Sequence, residues 1–187
     1  LYNDSIPTKV FTNLIEVAGK YNKSLKKYIR LRKKYLGLKQ YHTYDRFLEL
    51  AHSNKEYTYE EAKELFFHSI SQFPQDFQDK AHEVLRDGFV DVMEKVGKRT
   101  GAYSSSVANL HPFILLNFDH TLDSVFTVAH EAGHSIHSMY ATQTQPTMLQ
   151  DYTIFVAEIA STFNEHTLLD YFLSLPDATK EEKIMVI

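Results

Sequence analysis

His130-Glu131-Ala132-Gly133-His134 sits in the middle of residues 122–141, Leu-Asp-Ser-Val-Phe-Thr-Val-Ala-His-Glu-Ala-Gly-His-Ser-Ile-His-Ser-Met-Tyr-Ala, and the reading of this stretch decides the fold. Val125, Phe126, Val128, Ala129, Ile136 and Met139 recur as they do on a buried helix. On such a helix, positions four apart differ by about 40° around the axis and ~6 Å along it. Both imidazoles can therefore reach one ion at about 2.0–2.1 Å. Glu131 lies round the same side, where its carboxylate can act as a base on a water molecule. Two histidines at this spacing with a glutamate after the first form a zinc-binding helix pattern.

The alternative is a buried helix with no site. It has little reason to carry two histidines and a glutamate at its centre, because each unsatisfied polar group there costs a few kcal/mol, about 1–3 by mutational measure. Gly133 points the same way. A glycine inside a helix costs about 1 kcal/mol against alanine and is often kept where another backbone comes close.

A zinc site needs a third ligand. His137 shares the face but stands seven residues from His130, about 10.5 Å along the axis, too far for three imidazoles on one straight helix to converge. The longer zinc pattern asks for a histidine where this chain has Tyr140. The ligand should come from another element, and Glu158 and Glu165 are the acidic candidates, on one face of the following helix. Glu158 is embedded in the apolar run Phe155-Val-Ala-Glu-Ile-Ala160. An unpaired carboxylate there would be expensive, and a metal would explain its place. Glu165 then falls where it could steady a ligand from behind. His137 reads as a buried hydrogen-bonding residue.

Working outward from the motif, Thr142 to Pro146 form a polar turn, and a second helix runs over about 151–173. Upstream, Gly88, Gly97 and Gly101 punctuate the chain before two runs, 103–107 and 112–118, the second apolar and β-favouring, and the pair reads as two short strands. The N-terminal half is helical. Pro7 opens a long amphipathic helix that Gly37 ends, with Gly19 as a candidate bend. Residues 40–54 read as an irregular connection. Thr58 with Glu61 is a capping box for a helix to about residue 71, and a third helix follows Pro74 to about residue 86. The expectation is a mainly α, zincin-like core with a small β-sheet beside the metal helix. Residues 1–87 would be its helical portion, and 88–187 the sheet and zinc-site helices. Thr179 and Glu182 form another capping box, leading into Ile184, Met185, Val186 and Ile187. A helix so started and then cut suggests one catalytic domain truncated at both ends.

Composition limits the classes. The chain has 187 residues, 43% hydrophobic and 24% charged, which is ordinary for a globular chain able to bury a core. A net charge of −4 and a pI near 6.2 give no reason to expect a nucleic-acid partner. The basic stretch 23–34 alternates with apolar residues at helical spacing and reads as a solvated helix face rather than a phosphate site. There is no cysteine, hence no disulfide framework and no cysteine-based metal site or nucleophile. That suits a reducing cytoplasm. No apolar run approaches the ~20 residues of a membrane span.

Three stretches together carry a family resemblance: 130–138 (HEAGHSIHS), 155–165 (FVAEIASTFNE) and 101–118 (GAYSSSVANLHPFILLNF). With 9–38 and 57–65, they resemble the oligoendopeptidase F branch of the thimet oligopeptidase family over nearly the whole chain. The resemblance implies a mostly helical zinc endopeptidase with a deep channel, acting on short unstructured peptides in the cytoplasm with one zinc per site. By motif position it makes His130, His134 and Glu158 the ligands and Glu131 the base. It also places His111 near the cleft, where the residues alone allow a turn histidine equally well. Gly101 and Tyr103 begin a strand whose backbone could pair with a peptide. The histidines at 42, 52, 68, 82, 120 and 166 read as structural or surface. Two rival readings share the motif: a zinc carboxypeptidase that clamps the substrate C-terminus, and a peptide-binding module with a vestigial site, against which the intact ligand set speaks.

Overall fold

The computed structural model describes residues 5–186. Along the chain it forms α1 (Thr8–Tyr35), a 3-10 turn (Thr43–Phe47), α2 (Tyr59–Ser69), α3 (Gln75–Val84), β1 (Val90–Met93), β2 (Tyr103–Ser105), β3 (Phe113–Phe118), α4 (Leu122–Thr144), a second 3-10 turn (Thr147–Leu149), α5 (Ile154–Ser174) and α6 (Lys180–Met185). This is the mainly α architecture with a small sheet that the sequence predicts. Residues 1–4 and 187, on which the readings of the two chain ends partly rest, lie outside the described residues. No helix among the described residues is long and apolar enough to cross a membrane.

The chain divides into two compact units. Among the described residues, one holds 5–53 and 179–185. Here α1 runs unbroken through Gly19 and ends at Leu36 and Gly37, the latter at φ 66°, where only glycine is free of strain. Its lysines are solvated as expected, but Arg32 is not: it is buried, and its guanidinium donates to the carbonyls of Asp45, Arg46 (2.9 Å) and Leu48. Those carbonyls belong to the connection expected to be irregular, which instead closes into the 3-10 turn around this cation. The capping box at α6 is present, with Glu182 accepting from the Thr179 amide at 2.8 Å.

The other unit, residues 54–178 with 186, contains the sheet and the remaining helices. Glu61 accepts from the Thr58 amide at 2.7 Å and donates its own amide to Thr58 Oγ1 at 3.2 Å, so α2 starts on its predicted box. The strand order is β1-β3-β2, with β1 parallel and β2 antiparallel to the central β3. Ile114, Leu116 and Phe118 alternate inward from β3 onto Val125, Val128, Ala129, Ala132 and Ile136 of α4, within one core that also takes Phe66 and Ile70 of the α2 segment, Val84 and Leu85. β1 was not expected. It has only four residues and pairs in parallel, so no hairpin turn announces it.

Two devices fix the metal-motif helix at its ends. At its start, Asp119 Oδ1 accepts from the hydroxyls of Thr121 and Ser124, both at 2.6 Å, while Thr121 Oγ1 caps the Ser124 amide at 3.2 Å. At its end, Gln150 spans back to the carbonyls of Thr142 and Gln145, each at 3.2 Å. Along its length α4 packs closely on α5. A Cβ at Gly133 would stand 2.8 Å from the Ala160 carbonyl oxygen and 2.8 Å from Ser161 Cα, which is the close backbone approach that a mid-helix glycine suggests.

Candidate metal centre

The close α4–α5 contact sets the side chains facing one another. His130 and His134 rise from successive turns of α4 with their Nε2 atoms 3.1 Å apart. Glu158 of α5 brings Oε2 to 3.4 Å from His130 Nε2 and 3.6 Å from His134 Nε2. These three side chains are the metal-capable group found among the described residues, with one donor atom from each lying within 4.8 Å of the others. Ser161 donates to the same Glu158 oxygen at 2.8 Å, one turn further along α5.

Glu165 takes the other side of His130: its Oε1 is hydrogen-bonded to Nδ1. A carboxylate there favours the tautomer with Nδ1 protonated, which leaves the Nε2 lone pair unprotonated on the side of His134 and Glu158. The two acidic candidates of one helix face thus hold different positions, one among the converging donors and one behind a ring. Glu158 differs from expectation in burial. Its side chain is 51% exposed, so the desolvation argument from its apolar neighbours does not apply, and convergence alone supports its assignment.

Glu131 is only 5% exposed, and its Oε2 is buried with no hydrogen-bond partner among the described residues. Burial pushes its carboxyl above the usual range. The charge of His130 and the Ser104 backbone amide pull it back, and Glu158 and Glu165 push it up again. His134 is shifted down, first by burial and then by the charge of His130, with Glu158 and the Ala157 carbonyl opposing. Two imidazole nitrogens and a carboxylate oxygen meeting at one point, with an unpartnered buried carboxylate on the same helix, are the donor set that zinc takes when it keeps a position open. The residues fit the group.

The weaker candidates separate. His137 was expected to hydrogen-bond; instead its ring stacks on Tyr152 at 3.9 Å, and its buried Nδ1 has no partner among the described residues. Burial pushes its pKa down. His111 packs on Phe89 at 3.6 Å, with Nδ1 2.5 Å from the Pro112 carbonyl, so its contacts are those of a turn histidine at the start of β3. Gly101 sits at φ 81° and its carbonyl accepts from Asn117 at 2.7 Å. Tyr103 is exposed on β2, a strand paired on one side only among the described residues.

Three contacts escaped the sequence reading. Ser104 Oγ meets Ser135 Oγ at 2.8 Å, joining β2 to α4. Tyr152 donates to the His134 carbonyl at 3.3 Å and meets Ser138 Oγ at 2.8 Å. Serines at 135 and 138, set beside the apolar Ile136 and Met139, were the available signal.

A helix bearing two histidines and a glutamate, completed by a carboxylate from the next helix, defines a candidate hydrolytic metal centre of the zinc type. The profile of peptidase family M3 matches residues 1–185, and the chain belongs to that family. It is 41% identical over 175 residues to the oligopeptidase PepF of Bacillus subtilis (strain 168), a match covering 93% of this chain and 26% of that protein. It is 37% identical over 181 residues to an oligoendopeptidase F homolog of Lactococcus lactis subsp. lactis (strain IL1403), covering 97% of this chain and 30% of that one. Among solved structures, a candidate peptidase from Chlamydophila abortus superimposes with a TM-score of 0.85 at 42% identity, over all of this chain and 31% of its own. The chain therefore spans about 30% of the length of the relatives it matches.

Proposed function

We propose that this chain carries the catalytic metal centre of a zinc-dependent endopeptidase acting on short peptides. His130, His134 and Glu158 hold a single zinc ion, and Glu131 is the general base. The observation that carries the reading is the meeting of His130 Nε2, His134 Nε2 and Glu158 Oε2 beside a buried, unpartnered Glu131 oxygen. The names of the relatives, oligopeptidase and oligoendopeptidase F, support the substrate class.

Zinc held there supplies Lewis acidity toward a water molecule and the scissile carbonyl. The protein's own part is to arrange and move protons. Glu165 fixes the His130 ring so that Nε2 faces the centre. Glu131 accepts a proton at its free oxygen from the attacking water and returns it to the leaving amine nitrogen. Burial raises the affinity of this carboxyl for a proton, which strengthens it as a base. β2, with no second strand paired to it among the described residues, lays a peptide backbone alongside the centre by strand addition, a mode tolerant of sequence.

Glu131→Gln tests the proposal in the full chain. The variant keeps the shape and cannot accept the proton. Zinc content should be unchanged while kcat on a quenched peptide falls by about 10²–10⁴-fold. A zinc-loaded variant with parental turnover would remove Glu131 from the mechanism.

A further inference from the structure

Ser135 stands one turn beyond Glu131 on the same face of α4 and is 0% exposed. A helical serine commonly returns its hydroxyl to a carbonyl of the preceding turn. Ser135 instead meets Ser104 Oγ at 2.8 Å, thirty-one residues away on β2. β2 is three residues long and pairs with β3 along one edge only, in the register Tyr103↔Leu115, Ser104↔Ile114 and Ser105↔Phe113. So short a strand, anchored on one side, needs a second attachment to hold its height above the helix. The hydroxyl pair is placed to provide it, at the central residue of the strand.

We propose that the Ser104–Ser135 hydroxyl pair is a latch that sets the position of β2 relative to the metal-bearing helix, and that Ser104 and Ser135 are positioning residues for the bound peptide. The inference rests on the reading of β2 as the strand that takes up substrate. Binding energy made equally in the ground state and the transition state appears in KM and leaves kcat unchanged. A strand that only lines up the peptide backbone contributes in this way.

The test uses Ser104→Ala, Ser135→Ala, the double variant and Ser104→Thr in the zinc-loaded full chain. Steady-state kinetics on an extended peptide are measured together with amide exchange at residues 103–105. Each alanine variant is expected to raise KM by about 3–10-fold, the effect of one lost hydrogen bond, with kcat within about threefold of the parent. The double variant should be no worse than the poorer single, because both remove one contact. Ser104→Thr keeps the hydroxyl and should restore KM. Exchange at 103–105 should quicken in the alanine variants alone. Should Ser135→Ala fail to fold, Ser104→Ala on the half-buried strand residue still decides. Unchanged KM and exchange, additive losses, or a kcat loss that threonine does not rescue would overturn the latch. A parent that holds zinc but cleaves no peptide would instead defeat the peptidase reading, and exchange at 103–105 would then judge the latch alone.

Discussion

Glu158 and Glu165 lie seven residues apart on α5 and both reach His130, yet at opposite nitrogens of the ring. The difference predicts unequal consequences. Glu158→Gln removes one of three converging donors and should abolish tight zinc binding. Glu165→Gln keeps a polar group on Nδ1 and should weaken binding by only about 10–100-fold, as for changes behind a ligand. Zinc titration of the two variants checks this, and a more severe loss in Glu165→Gln would exchange their roles. At this scale the sequence was most informative where geometry is local. The spacing of His130, Glu131 and His134 on one helix reads directly from their numbers. The choice of Glu158 needed the packing of a second helix, and the argument offered for it, burial, turned out not to apply. His137 shows the same limit: its face was legible, but its stacking on Tyr152 depends on where the 145–153 connection returns. Ser104 and Ser135 are ordinary in the sequence and gain meaning only when β2 is laid beside α4.

The elements of the second unit show which local signals suffice. Capping boxes and prolines placed the starts of α2 and α3 within a residue or two, because each satisfies or removes specific amides. β1 left no such mark. At the element scale Gly133 is the decisive contact: a methyl group there would meet backbone atoms of α5 at 2.8 Å, and backbone cannot rotate aside. Gly133→Ala should force α5 outward, carrying Glu158 with it. Overpacking of this kind costs about 1–3 kcal/mol, offset in part by the roughly 1 kcal/mol that alanine gains over glycine in a helix. A lower Tm together with weaker zinc binding is expected, and parental values of both would show that α5 yields freely. The start of α4 makes a further prediction. Hydrogen bonds from Ser124 and then Thr121 hold the Asp119 carboxyl below its ordinary value of 3.8, against a smaller effect of burial. A pKa depressed by folding contributes stability that is present above the unfolded value and lost as pH falls through the folded one. Asp119→Ala should therefore lower stability at neutral pH and flatten its decline below about pH 4, where the lost carboxylate would have titrated. Urea unfolding of parent and variant at pH 3 and pH 7 reads the difference, and equal losses at both would assign the effect to packing.

At the scale of the whole chain, large apolar side chains stay exposed in each of the two units. Around the candidate centre, α5 turns Ile154 (68% exposed), Phe155 (41%), Ile159 (63%) and Phe163 (53%) to solvent, a contiguous apolar strip on the helix that supplies Glu158. In α1, Leu14, Ile15, Tyr21 and Leu25 are similarly exposed, so the amphipathic pattern that revealed the helix does not find its partner within these residues. The relatives are far longer: the matched region is 26% of one and 30% of another. These facts predict different behaviour for residues 1–187 and for a chain of the relatives' length. Every donor proposed for the metal, and the proposed base, lies within the shorter one. None of the described residues is proposed to stabilise the charge that develops on the scissile carbonyl, and loss of one such donor costs about 10²–10³ in kcat. Residues 1–187 produced alone should therefore bind zinc weakly, associate through their exposed apolar helices, and cleave peptides at no measurable rate, while the same residues in a chain of full length are active. Zinc titration, sedimentation and a quenched-peptide assay on both distinguish the cases. Turnover by residues 1–187 close to that of the full chain would mean that the whole catalytic apparatus lies between Leu1 and Ile187.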